Sequence, residues 1–382
     1  MTHDRRPRTV LILTPSSRLL GARRSLLALA EALDPERWRA VVCAQVPGQL
    51  GDALAERNIP FEVLKLGWWR KGRYFLWRPF AISRLSALAR RVGADLIHCN
   101  EIYPNPYAVR AARQGPAGGR LPVVTHVRLQ MKPGMVAKYE LTRADRIVVP
   151  SRALAGEFNA AESSRTRINV IPNGVNLEEF RRTRSRSAAR LRIGLPADGV
   201  LLGAVGQIGP RKGGDLILGA MERLAERRPE LRLLFVGDTH RGQEDFARGL
   251  RERAERPPLA GRVHFFDFTP DVLPFYEALD INLLVSRQEG FGRTVIEAGA
   301  LGVASIGADT GGIAEVILDG ATGRLVPPED EAALAAAIEQ LAGDAALRDA
   351  MGEAAYRRSV QEFSHAAHAG RMMDLYDDVL HE

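Results

Sequence analysis

Short apolar runs alternate with stretches of helical periodicity along this chain, and the whole pattern occurs twice. In the first half the candidate strands are Val10–Thr14, Ala40–Ala44, Phe61–Leu64, Leu96–Cys99, Val123–His126 and Arg146–Val149. In the second half they are Leu201–Val205, Leu231–Val236, Val263–Phe266, Ile281–Val285, Ala304–Ile306 and Gly323–Val326. Strands that are apolar throughout are typical of parallel sheets covered by helices on both faces. The pattern predicts an α/β protein with two doubly wound, Rossmann-like domains that face each other across a cleft.

The two repeats of the pattern meet at a turn-rich stretch, Pro172–Asn176, which is the expected join between domains. A length of 382 residues also suits two domains, each with its own core. We therefore expect a first domain over residues 1–173 and a second over 174–360. The helical C-terminal segment, 361–382, is expected to pack back on the first domain.

Composition narrows the functional class. The two cysteines, Cys43 and Cys99, indicate a reducing compartment without a disulfide framework. The chain shows no targeting segment and no apolar run near the ~20 residues that a membrane span needs, which predicts a cytoplasmic protein, peripheral at most on the inner face of the membrane.

The net charge of +7 suits a polyanionic partner such as a phosphorylated substrate or anionic lipid, or simply a solvated arginine-rich surface. The basic residues form no recognised nucleic-acid module, so no nucleic-acid partner is expected.

A glycine-rich loop with two cations, Gly206–Gly213, follows the first strand of the second repeat and precedes a helix. Glycines allow close approach of the backbone to a ligand, and a helix N-terminus favours anions. Arg211 and Lys212 add positive charge that suits a diphosphate. A loop with solvated basic residues is the plain alternative, and the P-loop spacing is not matched.

A second loop, Ser286–Gly292, follows the strand Ile281–Val285 and carries a carboxylate, Glu289, beside the turn Gly290-Phe291-Gly292. Glu297 is expected in the first turn of the next helix, where the helix dipole also favours a negative charge. Carboxylates accept hydrogen bonds from neighbouring hydroxyls, so recognition of a sugar or a ribose is the natural role for both.

The spacing of Glu289 and Glu297 around Gly-Phe-Gly resembles the signature of the family 4, group 1 glycosyltransferases, which have the GT-B architecture. The resemblance extends to Val170–Asn176, to Gly206–Gly213 and to Asp309–Gly323, and it covers nearly the whole chain. It implies a retaining glycosyltransferase that moves a sugar from a nucleotide-sugar donor, of the UDP or GDP type, to a hydroxyl of a glycan, lipid-linked or small-molecule acceptor.

The same resemblance assigns roles to individual residues. Arg211 and Lys212 would bind the donor diphosphate and stabilise the departing nucleotide, Glu297 would bind the ribose, and Glu289 the donor sugar. His126 would lie beside the donor sugar in the acceptor-side first domain. The resemblance implies His126, Arg211, Lys212 and Glu289 as the catalytic set. The implied donor-binding set is Gly21, Gly206, Arg211, Lys212, Phe268, Glu289, Gly290, Phe291, Gly292, Thr294, Val295 and Glu297. It also implies front-face displacement with no metal ion and no cofactor.

The segment Trp68–Arg78 is unusual because it holds three of the four tryptophans and four basic residues. Aromatic and basic side chains together suit a membrane interface or a sugar-binding groove, and a loop that covers the core is the alternative. Two other functional classes share the donor site: a nucleotide-sugar epimerase or hydrolase, and a non-catalytic partner subunit that binds sugar nucleotides. Turnover of the donor without an acceptor would distinguish the first, and absence of turnover the second.

Overall fold

The computed structural model of the chain describes residues 6–18, 21–114, 119–128, 130–132, 134–159, 167–239 and 241–381. Two compact units are present. Unit 1 comprises Met1–Gly174 together with His365–Glu382, and unit 2 comprises Val175–Ser364. The outermost ends of the expected first domain and C-terminal segment, residues 1–5 and 382, lie outside the described residues.

Unit 1 is built on a parallel sheet. Its strands are β1 (Arg8–Thr14), β2 (Trp38–Ala44), β3 (Phe61–Val63), β4 (Leu96–Cys99), β5 (Val123–His126), β6 (Arg146–Val149) and β7 (Arg167–Val170), in the order β3-β2-β1-β4-β5-β6-β7. The helices are α1 (Gly21–Ala32), α2 (Gln49–Ala55), α3 (Arg78–Arg91), α4 (Asn105–Ala111), α5 (Met135–Lys138) and α6 (Arg152–Asn159). Strands β1, β4 and β5 are almost fully buried, as the continuous apolar sequence predicts.

The C-terminal helix, His365–His381, is the last element of unit 1. It buries Tyr376 against Trp38 of β2, with ring centroids 5.1 Å apart, and the Trp38 indole donates a hydrogen bond to Asp377 at 3.0 Å. Met372, Met373 and Leu375 extend this apolar contact into the core of unit 1. The helix is thus fixed by both packing and polar contacts.

Unit 2 repeats the architecture. Its strands are β8 (Val200–Val205), β9 (Leu231–Val236), β10 (Val263–Phe266), β11 (Ile281–Leu284), β12 (Ala304–Ala308) and β13 (Gly323–Val326), all parallel, in the order β10-β9-β8-β11-β12-β13. The helices are α7 (Arg186–Arg192), α8 (Gly214–Leu224), α9 (Glu244–Ala254), α10 (Leu273–Ala278), α11 (Arg293–Ala300), α12 (Ile313–Val316), α13 (Glu331–Gly343) and α14 (Ala345–Glu362). The prediction of two doubly wound α/β domains is confirmed.

Strand order decides where ligands bind in such sheets. In unit 2 the order reverses between β8 and β11, which are hydrogen-bonded neighbours although two strands separate them in sequence. Loops that follow strands on either side of a reversal diverge and leave a crevice at the carboxyl edge of the sheet. The two loops singled out in the sequence, after β8 and after β11, therefore lie at one crevice.

Candidate functional site

Direct hydrogen bonds join the two loops at the carboxyl edge of the unit 2 sheet. The Arg287 backbone N–H donates to the carbonyl of Arg211 at 2.9 Å, and the Arg211 guanidinium donates to the carbonyl of Gln288 at 2.8 Å. A pocket opens beside β8, and Gly206, Gly209 and Lys212 are among the residues that line it. The structure thus brings the cationic loop and the carboxylate loop into one cluster.

Glycines make this close approach possible. Gly213 has φ +69°, and a Cβ there would lie 2.4 Å from the carbonyl oxygen of Val285, at the end of β11. A side chain at this position would therefore push the two loops apart. Gly206, with φ +134°, ends β8 in a conformation that other residues rarely adopt.

The charged centre of the site is an ion pair between Lys212 and Glu289. The Lys212 ammonium lies 2.6 Å from a Glu289 carboxylate oxygen, Arg211 lies 3.5 Å from the same oxygen, and the buried Ser286 hydroxyl is 3.4 Å away. Burial alone would raise the pKa of Glu289, but the charge and hydrogen bond of Lys212, reinforced by Arg211, hold that pKa below its ordinary value. Glu289 is therefore an ionised acceptor of hydrogen bonds flanked by two cations.

The turn Gly290-Phe291-Gly292 contributes backbone rather than side chains. Phe291 is buried and packs edge-on against Phe363, with ring centroids 5.8 Å apart, and Val295 is buried in the same core cluster. Gly292 has φ +100° and directly precedes α11. The Phe291 and Val295 side chains hold the turn on the core, so any contact they make with a ligand is through the main chain.

Glu297 lies in the second turn of α11, and the expectation of a first-turn position was wrong. The helix begins at Arg293, directly after the left-handed Gly292, and this places Glu297 as its fifth residue. One carboxylate oxygen accepts from the buried Tyr276 hydroxyl at 2.8 Å, and the other accepts from Arg293 at 3.2 Å. The orientation of Glu297 is thus fixed by two side chains, Tyr276 and Arg293.

Two further members of the predicted donor set lie near the ends of strands and helices in unit 2. The Thr294 hydroxyl oxygen, at the start of α11, is buried without a hydrogen-bond partner among the described residues. Phe268 follows β10 with about half of its surface exposed, and its backbone N–H donates to Asp238 at 3.4 Å. An unpartnered hydroxyl and an exposed ring suit a ligand.

The remaining predicted residues, His126 and Gly21, belong to unit 1. His126 ends β5 and is fully buried; its Nδ1 accepts from Arg128 at 3.1 Å, and its Nε2 has no partner among the described residues. Burial, and then the charge of Arg128, lower the pKa of His126 well below its usual range, so the imidazole is neutral. Gly21 begins α1 at an exposed position where a Cβ would meet no atom within 4 Å. Sterics therefore do not demand glycine at position 21.

The sequence interpretation missed two residues that organise the site. Arg287 lies inside the second loop and bonds to the first, and Tyr276 orients Glu297 from α10. Arg287 could have been recognised from its position inside the second loop. Tyr276 could not, because 21 residues separate it from its partner Glu297 and no local pattern connects them.

Two family models match the chain. The model described as Glycosyltransferase Family 4 matches residues 20–179, and the model described as Glycosyl transferases group 1 matches residues 185–358. The second match contains the whole of the charged cluster. Together the two matches cover most of both units.

Curated relatives carry a common name. The D-inositol 3-phosphate glycosyltransferase of Streptomyces avermitilis is 35% identical over 225 residues, which is 56% of this chain and 48% of the relative. The Streptomyces coelicolor protein of the same name is 28% identical over 370 residues, covering 91% of this chain and 75% of the relative. The chain thus spans about half the length of the first of these relatives.

Solved structures share the fold over nearly the full length. A glycosyltransferase from Rickettsia africae superposes with a TM-score of 0.83 at 21% identity, covering 98% of this chain and 99% of that one. HepE from Anabaena, crystallised in complex with UDP-glucose, gives a TM-score of 0.80 at 23% identity, covering 97% of this chain and 99% of that one. At such identities the likeness shows the two-domain α/β fold.

Proposed function

Because the chain belongs to the family 4, group 1 glycosyltransferases, we propose that it moves a sugar from a nucleotide-sugar donor to a hydroxyl group of an acceptor. One observation carries this proposal: Lys212, Arg211 and Glu289 form a single charged cluster at the topological switch point of unit 2. Two cations suit a diphosphate, and an ionised carboxylate suits the hydroxyls of the attached sugar.

The proposed chemistry is donor cleavage with charge stabilisation. The bond between the anomeric carbon and the β-phosphate oxygen breaks, and its electron pair leaves with the phosphate. Arg211 and Lys212 stabilise the negative charge that develops there, which is where preorganised cations lower a barrier most. Glu289 already lies 2.6 Å from Lys212 and holds that ammonium in the crevice before the donor binds.

We propose retention of anomeric configuration through front-face displacement. The acceptor oxygen attacks the anomeric carbon from the side on which the phosphate departs, and the acceptor proton passes to the departing phosphate oxygen. Glu289 is held by two cations and a hydroxyl and is assigned to sugar binding, not to nucleophilic attack. Neither a metal ion nor an organic cofactor is assigned a step.

For the donor we propose a nucleoside diphosphate sugar of the UDP or GDP type; the UDP-glucose bound by HepE supports the UDP form. Glu297, fixed by Tyr276 and Arg293, is assigned to the ribose. The acceptor is a hydroxyl of a glycan, a lipid-linked sugar or a small molecule. The name of the Streptomyces relatives makes an inositol phosphate the first acceptor to test, and the net positive charge of this chain suits it.

Thermal stabilisation by a panel of nucleotide sugars tests the donor. A true donor at a hundredfold excess over its Kd stabilises the folded protein by about 2.7 kcal/mol. Lys212→Ala and Glu289→Gln should each abolish most of that shift and lower transfer by about 100-fold or more. Arg227→Ala is the matched control, because Arg227 is exposed and pairs only with Glu339 among the contacts described. Unchanged transfer in both site variants would contradict the assignment.

The reaction class is tested by product analysis. Transfer to an acceptor, with the donor's anomeric configuration kept in the NMR spectrum of the product, is the expected result. Donor consumption at full rate without an acceptor would identify an epimerase or hydrolase instead, and binding without turnover would identify a partner subunit.

A further inference from the structure

Residues 65–91 of unit 1 form an acid-free segment, hereafter the basic-aromatic segment. It contains eight lysines and arginines and no aspartate or glutamate in 27 residues, together with three of the four tryptophans. The chain as a whole mixes charges, with 46 acidic residues against 53 basic ones. Other stretches of the chain, such as residues 102–139, also lack acidic residues, so what distinguishes this segment is its eight cations together with three tryptophans.

The basic-aromatic segment is held firmly on the core of unit 1. Trp69 packs edge-on against the buried Tyr107, with ring centroids 5.0 Å apart. The Arg110 guanidinium lies 4.5 Å from the centroid of the Trp69 ring. Arg78 stacks 4.3 Å from the same ring and donates to the Trp69 carbonyl. Consecutive turns from residue 68 onwards lead directly into α3. The exposed side chains of the segment are therefore presented by an ordered backbone.

Large apolar side chains on this ordered backbone point to solvent. The exposed fraction is 43% for Trp68, 63% for Phe75, 90% for Leu76 and 52% for Phe80. Four such side chains lie within 13 residues. Clustered exposure of apolar surface, unlike single exposed leucines, is typical of an interaction site. By contrast, the adjacent Trp69 is partly buried.

Exposed cations surround these apolar side chains. Arg70, Lys71 and Arg73 are exposed between Trp68 and Phe75, and Arg84 lies 5.7 Å from the Phe80 ring. The outer face of α3 continues the charge through Arg90 and Arg91, of which Arg91 pairs with Glu62 at 2.8 Å. Exposed aromatic rings with arginines beside them match the headgroup region of a bilayer, where rings insert and cations meet acidic lipids.

We propose that the basic-aromatic segment docks unit 1 on the surface of an anionic lipid bilayer. Each Lys or Arg near such a surface adds to the attraction, and four exposed cations with three or four inserted apolar side chains suit reversible binding. The segment itself carries no carboxylate that would repel the headgroups, which favours a lipid surface. Within the described residues, no helix is long and apolar enough to cross a membrane.

Vesicle flotation of the full chain tests this proposal. Wild-type protein should float with vesicles of phosphatidylcholine and 30–40% phosphatidylglycerol (roughly the acidic content that gives a strong surface potential) and stay behind with phosphatidylcholine alone. Phe75→Ser/Leu76→Ser and Arg70→Glu/Arg73→Glu should each weaken partitioning by about tenfold or more. Salt should weaken it too, since the attraction is screened.

The matched control is Leu191→Ser/Leu318→Ser, which removes two exposed leucine side chains from unit 2 and should float like wild type. Negligible binding to both vesicle types, or an equal loss in site and control variants, would overturn the proposal. A raised KM for a soluble acceptor with unchanged flotation would also overturn it, because the segment would then be part of an acceptor groove. Stabilisation by donor is measured on the same variants and should stay unchanged, so a failure of the proposed reaction is seen separately.

Discussion

At the scale of single residues, Arg287 ties together the loops that carry the charges of the candidate site. Its guanidinium donates to the carbonyl of Pro210, to both carboxylate oxygens of Asp215 at 3.0 and 2.8 Å, and to Glu329 at 2.9 Å. The hydrogen bonds that Arg287 donates to Asp215 and Glu329 raise the pKa of Arg287 above its ordinary value. The bidentate geometry is one that arginine makes and lysine does not.

We therefore predict that Arg287 is a positioning residue for Arg211 and Lys212. Arg287→Gln should raise the donor KM and lower kcat/KM by about 10- to 100-fold, because small misplacements of catalytic groups are costly. Arg287→Lys should give an intermediate value, since it keeps the charge and loses the fork. Steady-state kinetics beside thermal unfolding make the measurement, with Arg227→Gln as control. A lower Tm with unchanged KM and kcat would mean that Arg287 serves stability alone.

The sequence indicated the charged residues of the site better than the residues that hold them. Glu289 and Lys212 stand in recognisable patterns, but their contact across 77 residues follows only from the adjacency of β8 and β11. Arg287 and its partner Glu329 are 42 residues apart, and no local pattern links them. Ligand-binding groups follow a spacing that chemistry dictates, whereas supporting contacts depend on three-dimensional packing.

At the scale of elements, strands were predictable where both faces are buried. All twelve predicted strands form, with ends within two residues of the predicted ones. The strand β7, Arg167–Val170, was not predicted; it lies at the edge of its sheet with exposed residues at both ends, so its sequence is mixed. Edge strands have no need for continuous apolar sequence, which is the signal that revealed the others.

The element junction at Gly213 supports a second prediction. Gly213→Ala would place a methyl group 2.4 Å from the Val285 carbonyl oxygen at a φ of +69°, and should lower the free energy of unfolding by about 1–3 kcal/mol. Gly249→Ala is the matched control: it lies inside α9, a Cβ there meets nothing within 4 Å, and alanine should stabilise by about 0.5–1 kcal/mol. Denaturant titration measures both. Equal effects of the two substitutions would show that the junction is not strained.

At the scale of the whole molecule, unit 1 contains three buried imidazoles that stability measurements can detect. His98 of β4, His126 of β5 and His368 of the C-terminal helix form a row with ring centroids 5.9 and 6.3 Å apart. Burial, and then the charge of Arg128, lower the pKa of His98 and of His368 to about 3 and that of His126 well below 6.5. All three are neutral in the folded protein at neutral pH.

These neutral imidazoles predict that acid destabilises unit 1. Because each pKa is lower in the folded chain than in the unfolded chain, the unfolded state binds more protons below pH ~6.5, and stability falls as the pH falls from there towards 3. The free energy of unfolding then changes by up to about 1.4 kcal/mol per pH unit for each histidine, or about 4 kcal/mol per pH unit for all three. Burial raises the pKa of Glu101, also in unit 1, which opposes this loss of stability at lower pH, so the clearest window is pH 7.5 to 5.5.

Tryptophan fluorescence reports the unfolding of unit 1 alone, because all four tryptophans, at positions 38, 68, 69 and 77, belong to that unit. Urea titrations at half-unit pH steps should show the midpoint of this signal falling below pH 6.5. In His368→Asn the amide nitrogen can still donate to the Pro172 carbonyl, which the His368 ring nitrogen meets at 2.7 Å, but the side chain does not titrate. In this variant the free energy of unfolding should depend on pH less steeply, by the equivalent of about one proton or a third of the total slope. This difference in slope holds whatever the substitution costs in absolute stability. A slope identical to wild type would mean that His368 is already protonated in the folded protein or neutral in both states.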